Sequence, residues 1–266
     1  MMNVLDTILK QKRKEVEERS KLFPVNLLEK SIFFDLPTIS LKKSVREKSG
    51  IIAEIKRKSP SKGIINPNVS IADIARGYFS AGVSGISVLT DAEFFGGSNE
   101  DLMTARKYAS CPILRKDFII SEYQIIEAKS IGADAILLIA AALSPENLKA
   151  FARFAHSLKL EVLMEVHDEN ELLCNQAAEV DLIGVNNRNL KTFEVSIETS
   201  IKLSSAIQGT QVKVSESGID NPNAILELKR VGFQGFLIGQ KFMEEPDPGK
   251  ACTDFIDELR KAELKV

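Results

Sequence analysis

Apolar residues in this chain gather into eight short blocks, at 51–56, 85–89, 113–116, 135–139, 161–165, 182–186, 212–215 and 235–238. Each block is apolar over most of its length, the pattern of parallel strands covered on both faces. Between the blocks the pattern changes to helical spacing. Ile71, Ile74, Ala75 and Tyr78 mark one apolar helix face, and Leu148, Phe151, Ala152 and Ala155 mark another. Ser70, Ser98, Ser121, Ser144, Asp168 and Ser196 stand where N-caps are needed, and Asp168 with Glu171 has the spacing of a capping box. Pro145 and Pro222 suit first turns, and Gly82, Gly132 and Gly232 suit left-handed helix stops.

Eight strand–helix units are the number that closes a barrel. The predicted fold is α/β, a (β/α)8 TIM barrel with an N-terminal helical extension. Residues 1–266 form one domain, of which 1–48 are the extension packed on the barrel. A doubly wound open sheet uses the same alternation but tends to bring a glycine fingerprint after its first strand. Here that turn reads Arg57-Lys58-Ser59-Pro60-Ser61-Lys62-Gly63. The extension reads as amphipathic helices at 4–19 and 40–48. Two roles are open to it: a plug in one barrel end, or an arm over the substrate.

Composition narrows the possibilities. A chain of 266 residues with a formal net charge of −2 gives no sign of a general affinity for nucleic acid or an anionic membrane. No run approaches the ~18 apolar residues of a membrane span, and 1–20 lacks a signal-peptide core. Cys111, Cys174 and Cys252 are odd in number and scattered, so reduced, buried thiols and a cytoplasmic location are expected. The only histidines, His156 and His167, do not form a metal-ligand cluster, so no metal site is expected.

The chemistry sits at the ends of the blocks. Barrel enzymes use the C-terminal strand ends, which open on one face. Glu54 and Lys56 lie two apart on the first strand and so face the same side. Lys116 ends the third, Glu165 the fifth, Asn186 and Arg188 end the sixth, and Glu216 follows the seventh. Any one of these could be an interior salt-bridge partner. The whole set at one end points to function. Gly218 after the seventh strand and Gly239 after the eighth would let backbone N–H groups approach a phosphate, with Ser59 adding a hydroxyl. Phe95, Phe118 and the Leu137-Leu138 pair could hold a planar ring.

These motifs together resemble the indole-3-glycerol phosphate synthase family. The matching stretches are Ile52-Ala53-Glu54-Ile55-Lys56-Arg57-Lys58-Ser59-Pro60-Ser61, Phe95-Gly96-Gly97-Ser98, Leu114-Arg115-Lys116-Asp117-Phe118-Ile119 and Met164-Glu165-Val166-His167. They continue with Gly184-Val185-Asn186-Asn187-Arg188-Asn189-Leu190, Ser215-Glu216-Ser217-Gly218-Ile219 and Leu237-Ile238-Gly239. The resemblance covers essentially the whole chain. It implies a carboxy-lyase of tryptophan biosynthesis, with no cofactor and no metal, acting on a small phosphorylated substrate.

By that resemblance Lys116 is the general acid and Glu165 the partner acid/base. Lys56 pairs with the substrate carboxylate, Glu54 orients Lys56, and Asn186 positions Glu165. Arg188 lies near the substrate carboxylate and Glu216 near the sugar hydroxyls. Ser59, Ser217, Gly218, Gly239 and Gln240 cradle phosphate, while Phe95, Phe118, Leu138 and Leu190 hold the ring. Gln240-Lys241 departs from the smaller or acidic residues frequent there in the family, so only backbone donation is expected from Gln240. A monomer and an assembly with other enzymes of the pathway both stay open. A sugar-phosphate isomerase would share the phosphate glycines but not the full charged set, and a non-catalytic ligand-binding barrel would have no need of that set.

Overall fold

Eight parallel strands hydrogen-bond edge to edge around a full circle, each beside its neighbours in sequence. The computed structural model describes residues 4–189 and 192–265. The strands are β1 (Ile51–Ile55), β2 (Gly85–Leu89), β3 (Ile113–Lys116), β4 (Ala135–Ile139), β5 (Glu161–Val166), β6 (Leu182–Asn186), β7 (Val212–Glu216) and β8 (Gly235–Ile238). β1 closes the ring by pairing with β8 through Ile51↔Phe236 and with β2 through Glu54↔Ser87. That closure rules out the open doubly wound sheet. β1 stops at Ile55, one residue short of the apolar block, while β5 and β7 each run one further. The added residues pair with β6, as Val166↔Val185 and Asn186↔Glu216, and ladder partners are invisible to an apolar count.

Alternate strand residues divide into two layers, as the two-residue period requires. Ile52, Leu114, Leu137, Leu163, Leu182, Val214 and Leu237 fill the barrel interior. Ile51, Ile86, Ile113, Ile136, Val162, Ile183 and Phe236 face the helices. Ser70, Ser98, Ser121, Ser144 and Asp168 each accept a backbone N–H at the start of a helix. Two local expectations shift. The helix expected after Ser196 starts at Glu198 behind Ile197, and Ser196 Oγ accepts the Glu198 N–H from outside it. Glu171 does not return to Asp168; its Oε2 accepts the N–H of His167 at 2.8 Å. Cys111 and Cys252 are buried as expected, but Cys174 is exposed, because it ends a helix on the solvent face.

The N-terminal helices serve opposite ends of the barrel. In the helix Leu41–Glu47, Leu41 and Val45 join the interior apolar layer. Ser44 Oγ donates to the Ser84 carbonyl at 2.6 Å, the Ile39 N–H to Asp134 at 2.7 Å, and the Lys42 N–H to Glu161 at 2.8 Å. Those partners stand where β2, β4 and β5 begin, so this helix plugs the N-terminal end. The helix Val4–Leu22 goes to the other end. Its Lys12 is buried, with Nζ 2.8 Å from Asp91 and 2.9 Å from Asp117, residues placed just after β2 and β3. The outward-facing Arg115 extends the network to Asp117 and to Glu127, and Arg19 also reaches Glu127.

Burial pushes the Asp117 carboxyl up, but Lys12 and Arg115 outweigh it and hold the group at about 2. A folded-state value below the unfolded one adds stability that is present above pH ~4 and is lost as pH falls toward 2. Lys12→Ala would leave Asp91 and Asp117 short of a cation and should lower the unfolding free energy by about 3–5 kcal/mol. Urea unfolding at pH 7 checks this, and Asp117→Asn should flatten the acid limb of the stability curve. A loss under about 1 kcal/mol for Lys12→Ala would show the network to be incidental.

Candidate active site

The C-terminal ends of all eight strands open into one cavity of about 670 Å³. Its floor is charged. Lys116 Nζ, at the end of β3, lies 2.9 Å from Glu165 Oε2 on β5 and 2.5 Å from Glu216 Oε2 on β7. Lys56 Nζ, just past β1, lies 2.6 Å from Glu54 Oε1. Asn186 Nδ2 at the end of β6 donates to Glu165 Oε1 at 3.1 Å, and Asn186 Oδ1 accepts the Arg188 N–H at 3.0 Å. Residues far apart in sequence thus converge because each sits at an inward position on its own strand end.

Two glycines make room for the carboxylates. A Cβ on Gly184 would overlap Glu216 Oε1, and one on Gly239 would stand 2.6 Å from Glu54 Oε1. The cluster holds more carboxylate than ammonium, and its titration reflects that. Burial works against the Lys116 charge, but Glu165, Glu216 and Glu54 hold its pKa well above the ordinary value. Burial also opposes ionisation of Glu165, yet Lys116 and His167 keep that carboxyl well below the usual range. Glu216 goes the other way. Its burial, reinforced by the charge of Glu165, outweighs Lys116 and pushes it up to about 7. The asymmetry has a geometric cause: Glu216 Oε1 is buried without a hydrogen-bond partner among the described residues, whereas Asn186 serves Glu165 Oε1.

On one flank of the floor Phe95 and Phe118 stand with ring centroids 6.1 Å apart, together with Leu89, Leu137 and Ile139. Arg57 braces this flank by binding Asp101 and the Gly96 carbonyl. Val4, Leu5 and Ile8 of the N-terminal helix also line the cavity. The ring contact expected of Leu138 is corrected here. Leu138 is buried in the outer layer against the helices, and its neighbours Leu137 and Ile139 face the cavity. Adjacent strand residues point to opposite faces, so an error of one position reverses the side chain. Leu190 lies outside the described residues.

On another flank are Ser59, Ser217, Gly218, Gly239 and Gln240, all lining the cavity. Ser217 and Gly218 take successive positive φ values of 69° and 74°. Asn187 Nδ2 donates to the Ser217 carbonyl at 3.0 Å. In a planar trans peptide this turns the Gly218 N–H to the opposite side. Gln240 and Lys241 open the helix Gln240–Met243, so their N–H groups have no carbonyl of that helix to bond. The Gln240 side chain turns away to Glu244 at 3.0 Å, which also receives Lys62. An anion is the natural ligand for this arrangement of amides and lysines.

Three features of the site were given no role from the sequence. Val4, Leu5 and Ile8 belong to a helix whose position only the Lys12 network reveals. Asn187 acts from outside the barrel wall. His167 lines the cavity with Nε2 3.3 Å from Glu165 Oε1, and it stands two residues beyond Glu165. That same-side spacing was the available signal.

Fold and cavity define a (β/α)8-barrel enzyme with a charged cavity at the C-terminal strand ends. A family profile described as indole-3-glycerol phosphate synthase matches residues 5–255. A relative of that name from Bacteroides thetaiotaomicron is 44% identical over 98% of this chain and 100% of its own length. Another from Acinetobacter baylyi is 41% identical over 94% of each chain. The chain belongs to the indole-3-glycerol phosphate synthase family. Solved structures at low identity support the fold alone. A chain of the tryptophan synthase a2b2 complex from Pyrococcus furiosus aligns with TM-score 0.60 at 12% identity, over 80% of this chain and 98% of its own. Thiamine phosphate pyrophosphorylase from the same organism aligns with TM-score 0.58 at 16% identity, over 85% of this chain and 98% of its own.

A carboxyl titrating near pH 7 is expected in the ligand-free protein, observable by infrared difference spectroscopy. It should vanish in Glu216→Gln and persist in Glu165→Gln at a shifted position, since the two carboxylates share one ammonium. A spectrum unchanged by Glu216→Gln would contradict the assignment.

Proposed function

We propose that this cavity closes the indole ring of 1-(2-carboxyphenylamino)-1-deoxy-D-ribulose 5-phosphate, releasing carbon dioxide and water to give indole-3-glycerol phosphate. The observation that carries the reading is the Lys116 ammonium held between Glu165 and Glu216 on the floor of a cavity with an apolar aromatic flank and an amide-rich flank. The flanks match the two ends of that substrate. Its aromatic ring lies against Phe95, Phe118 and Leu137, and its phosphate against the N–H groups of Gly218 and Gln240, with Ser59 and Ser217 alongside.

Between the flanks, the ring carbon that bears the carboxylate attacks the ketone. Negative charge develops on the ketone oxygen, and Lys116 stabilises it and donates a proton. Lys56, steered by Glu54, pairs with the substrate carboxylate, and Arg188 adds a second cation on that side. Loss of carbon dioxide restores the aromatic ring. Glu165, held by Asn186, then takes a proton from carbon, and the hydroxyl leaves as water with a second proton from the Lys116–Glu165 pair. Glu216 shares Lys116 and meets the sugar hydroxyls. The helix Val4–Leu22 roofs the aromatic flank through Val4, Leu5 and Ile8. Residues 1–266 act as one barrel domain with 1–48 as its extension.

No helix among the described residues is long and apolar enough to cross a membrane. A small phosphorylated substrate is the only partner the chemistry needs, and a cytoplasmic setting belongs to the same proposal.

The test is incubation with this substrate while indole fluorescence is followed. Wild-type protein should generate product. Lys116→Ala and Glu165→Gln should each lose roughly 10²–10⁴ in kcat, with KM changed far less. Turnover near wild type in both variants would remove the assigned roles, and no product from wild type would remove the reaction.

A further inference from the structure

The reaction proposed above consumes one proton per turnover. Protonation of the ketone oxygen takes one, and its departure as water takes a second. Formation of the ring double bond returns one from carbon. Carbon dioxide leaves as a neutral molecule from a carboxylate, so the charges balance only with one proton supplied from outside the substrate. Substrate in the cavity displaces the water that could deliver it. The protein must therefore hold that proton beforehand, next to Lys116 and Glu165.

His167 is placed for this task. Its Nδ1 lies 3.2 Å from Glu171 Oε2 and its Nε2 lies 3.3 Å from Glu165 Oε1. Glu165 Oε2 is in turn 2.9 Å from Lys116 Nζ. Glu171 Oε2 also accepts the His167 backbone N–H, which fixes the carboxylate against the ring. The Nε2 atom is buried and makes no well-aligned hydrogen bond among the described residues. It is within reach of Glu165 without being locked to it. Burial lowers the basicity of the ring, but Glu165 and Glu171 outweigh this and push its pKa up to about 10, so the ring is charged at neutral pH.

We propose that the His167 imidazolium, held by Glu171, is the store of the proton that each turnover consumes. This rests on the reaction proposed above. When the reacting centre has drawn a proton from the Lys116–Glu165 pair, the Nε2–H bond breaks and its electron pair stays on the ring. The proton forms a bond to Glu165 Oε1 and passes through that carboxyl to the neutral Lys116 amine, 2.9 Å from Oε2, which returns Glu165 to its ionised form for the carbon proton. The neutral ring regains a proton from water once product leaves, since His167 itself lines the cavity. Glu171 is a positioning residue: its carboxylate keeps the ring oriented and favours the charged form. Among the described residues, the charged groups in ion-pair contact with the ring are Glu165 and Glu171, with Lys116 behind Glu165.

Two variants test this in the full-length protein, with wild type measured in the same fluorescence assay. His167→Ala should lose roughly 10²-fold in kcat with KM within about threefold, and added imidazole should restore turnover in proportion to imidazolium concentration. Glu171→Gln keeps an acceptor in place but removes the charge, so the alkaline limb of its kcat–pH profile should move down by about one unit or more. A His167→Ala kcat within about threefold of wild type overturns the proposal, as does a loss that imidazole leaves in place. If His167→Ala does not fold, the Glu171→Gln profile decides alone, and an unmoved alkaline limb overturns the proposal. Wild type without product removes the reaction itself, a result distinct from either variant failing.

Discussion

An ammonium group inside a barrel can stay charged only if carboxylates surround it, and the site is organised around that constraint. Lys116 meets Glu165 and Glu216 at hydrogen-bond distance from two different strands. One ammonium between two carboxylates leaves an excess of negative charge in a setting of low dielectric. The protein answers it in two ways. His167 adds a cation beside Glu165, and Glu216 shifts toward its protonated form. The cluster therefore holds an ammonium, an ionised carboxylate and a carboxyl pushed up to about 7 side by side.

The same stretch of chain connects this chemistry to the fold. Arg115, Lys116 and Asp117 are consecutive, and strand geometry sends them to different places. Lys116 points into the cavity. Arg115 points outward to Glu127, and Asp117 receives Lys12 from the N-terminal helix. The ion network under the helix Val4–Leu22 and the Lys116 ammonium thus share one short segment. A change in the network would be felt at the cavity lining, at Val4, Leu5 and Ile8, and at Phe118 one residue further on.

The barrel was legible because eight apolar blocks at regular spacing have few other solutions. The charged floor was legible because lysine and glutamate are rare inside apolar strands and announce themselves. Leu138 was misplaced for the opposite reason: β4 is apolar throughout, and nothing polar marks which residues face inward. His167 was named in the sequence but given no site role, because it lies beyond the end of β5 and reads as a loop residue. Its two-residue offset from Glu165 would have placed it on the cavity side. Of the two roles weighed for the N-terminal extension, the plug falls to the helix Leu41–Glu47, and the helix Val4–Leu22 lines the cavity at the other end. Sequence could not assign them, since the deciding contacts run from Lys12 to Asp117 and from Leu41 to the interior layer. Asn187 was hidden because it acts on a backbone carbonyl, that of Ser217, through tertiary contact alone.

The account stands on one placement, with Lys116 against the reacting carbon skeleton and the two flanks gripping opposite ends of the ligand. A crystal structure with indole-3-glycerol phosphate bound tests it most directly. The account predicts phosphate on the N–H groups of Gly218 and Gln240, the indole ring between Phe95, Phe118 and Leu137, and Lys116 Nζ facing the newly formed five-membered ring. Phosphate bound elsewhere, or an indole ring out of reach of Lys116, would contradict it.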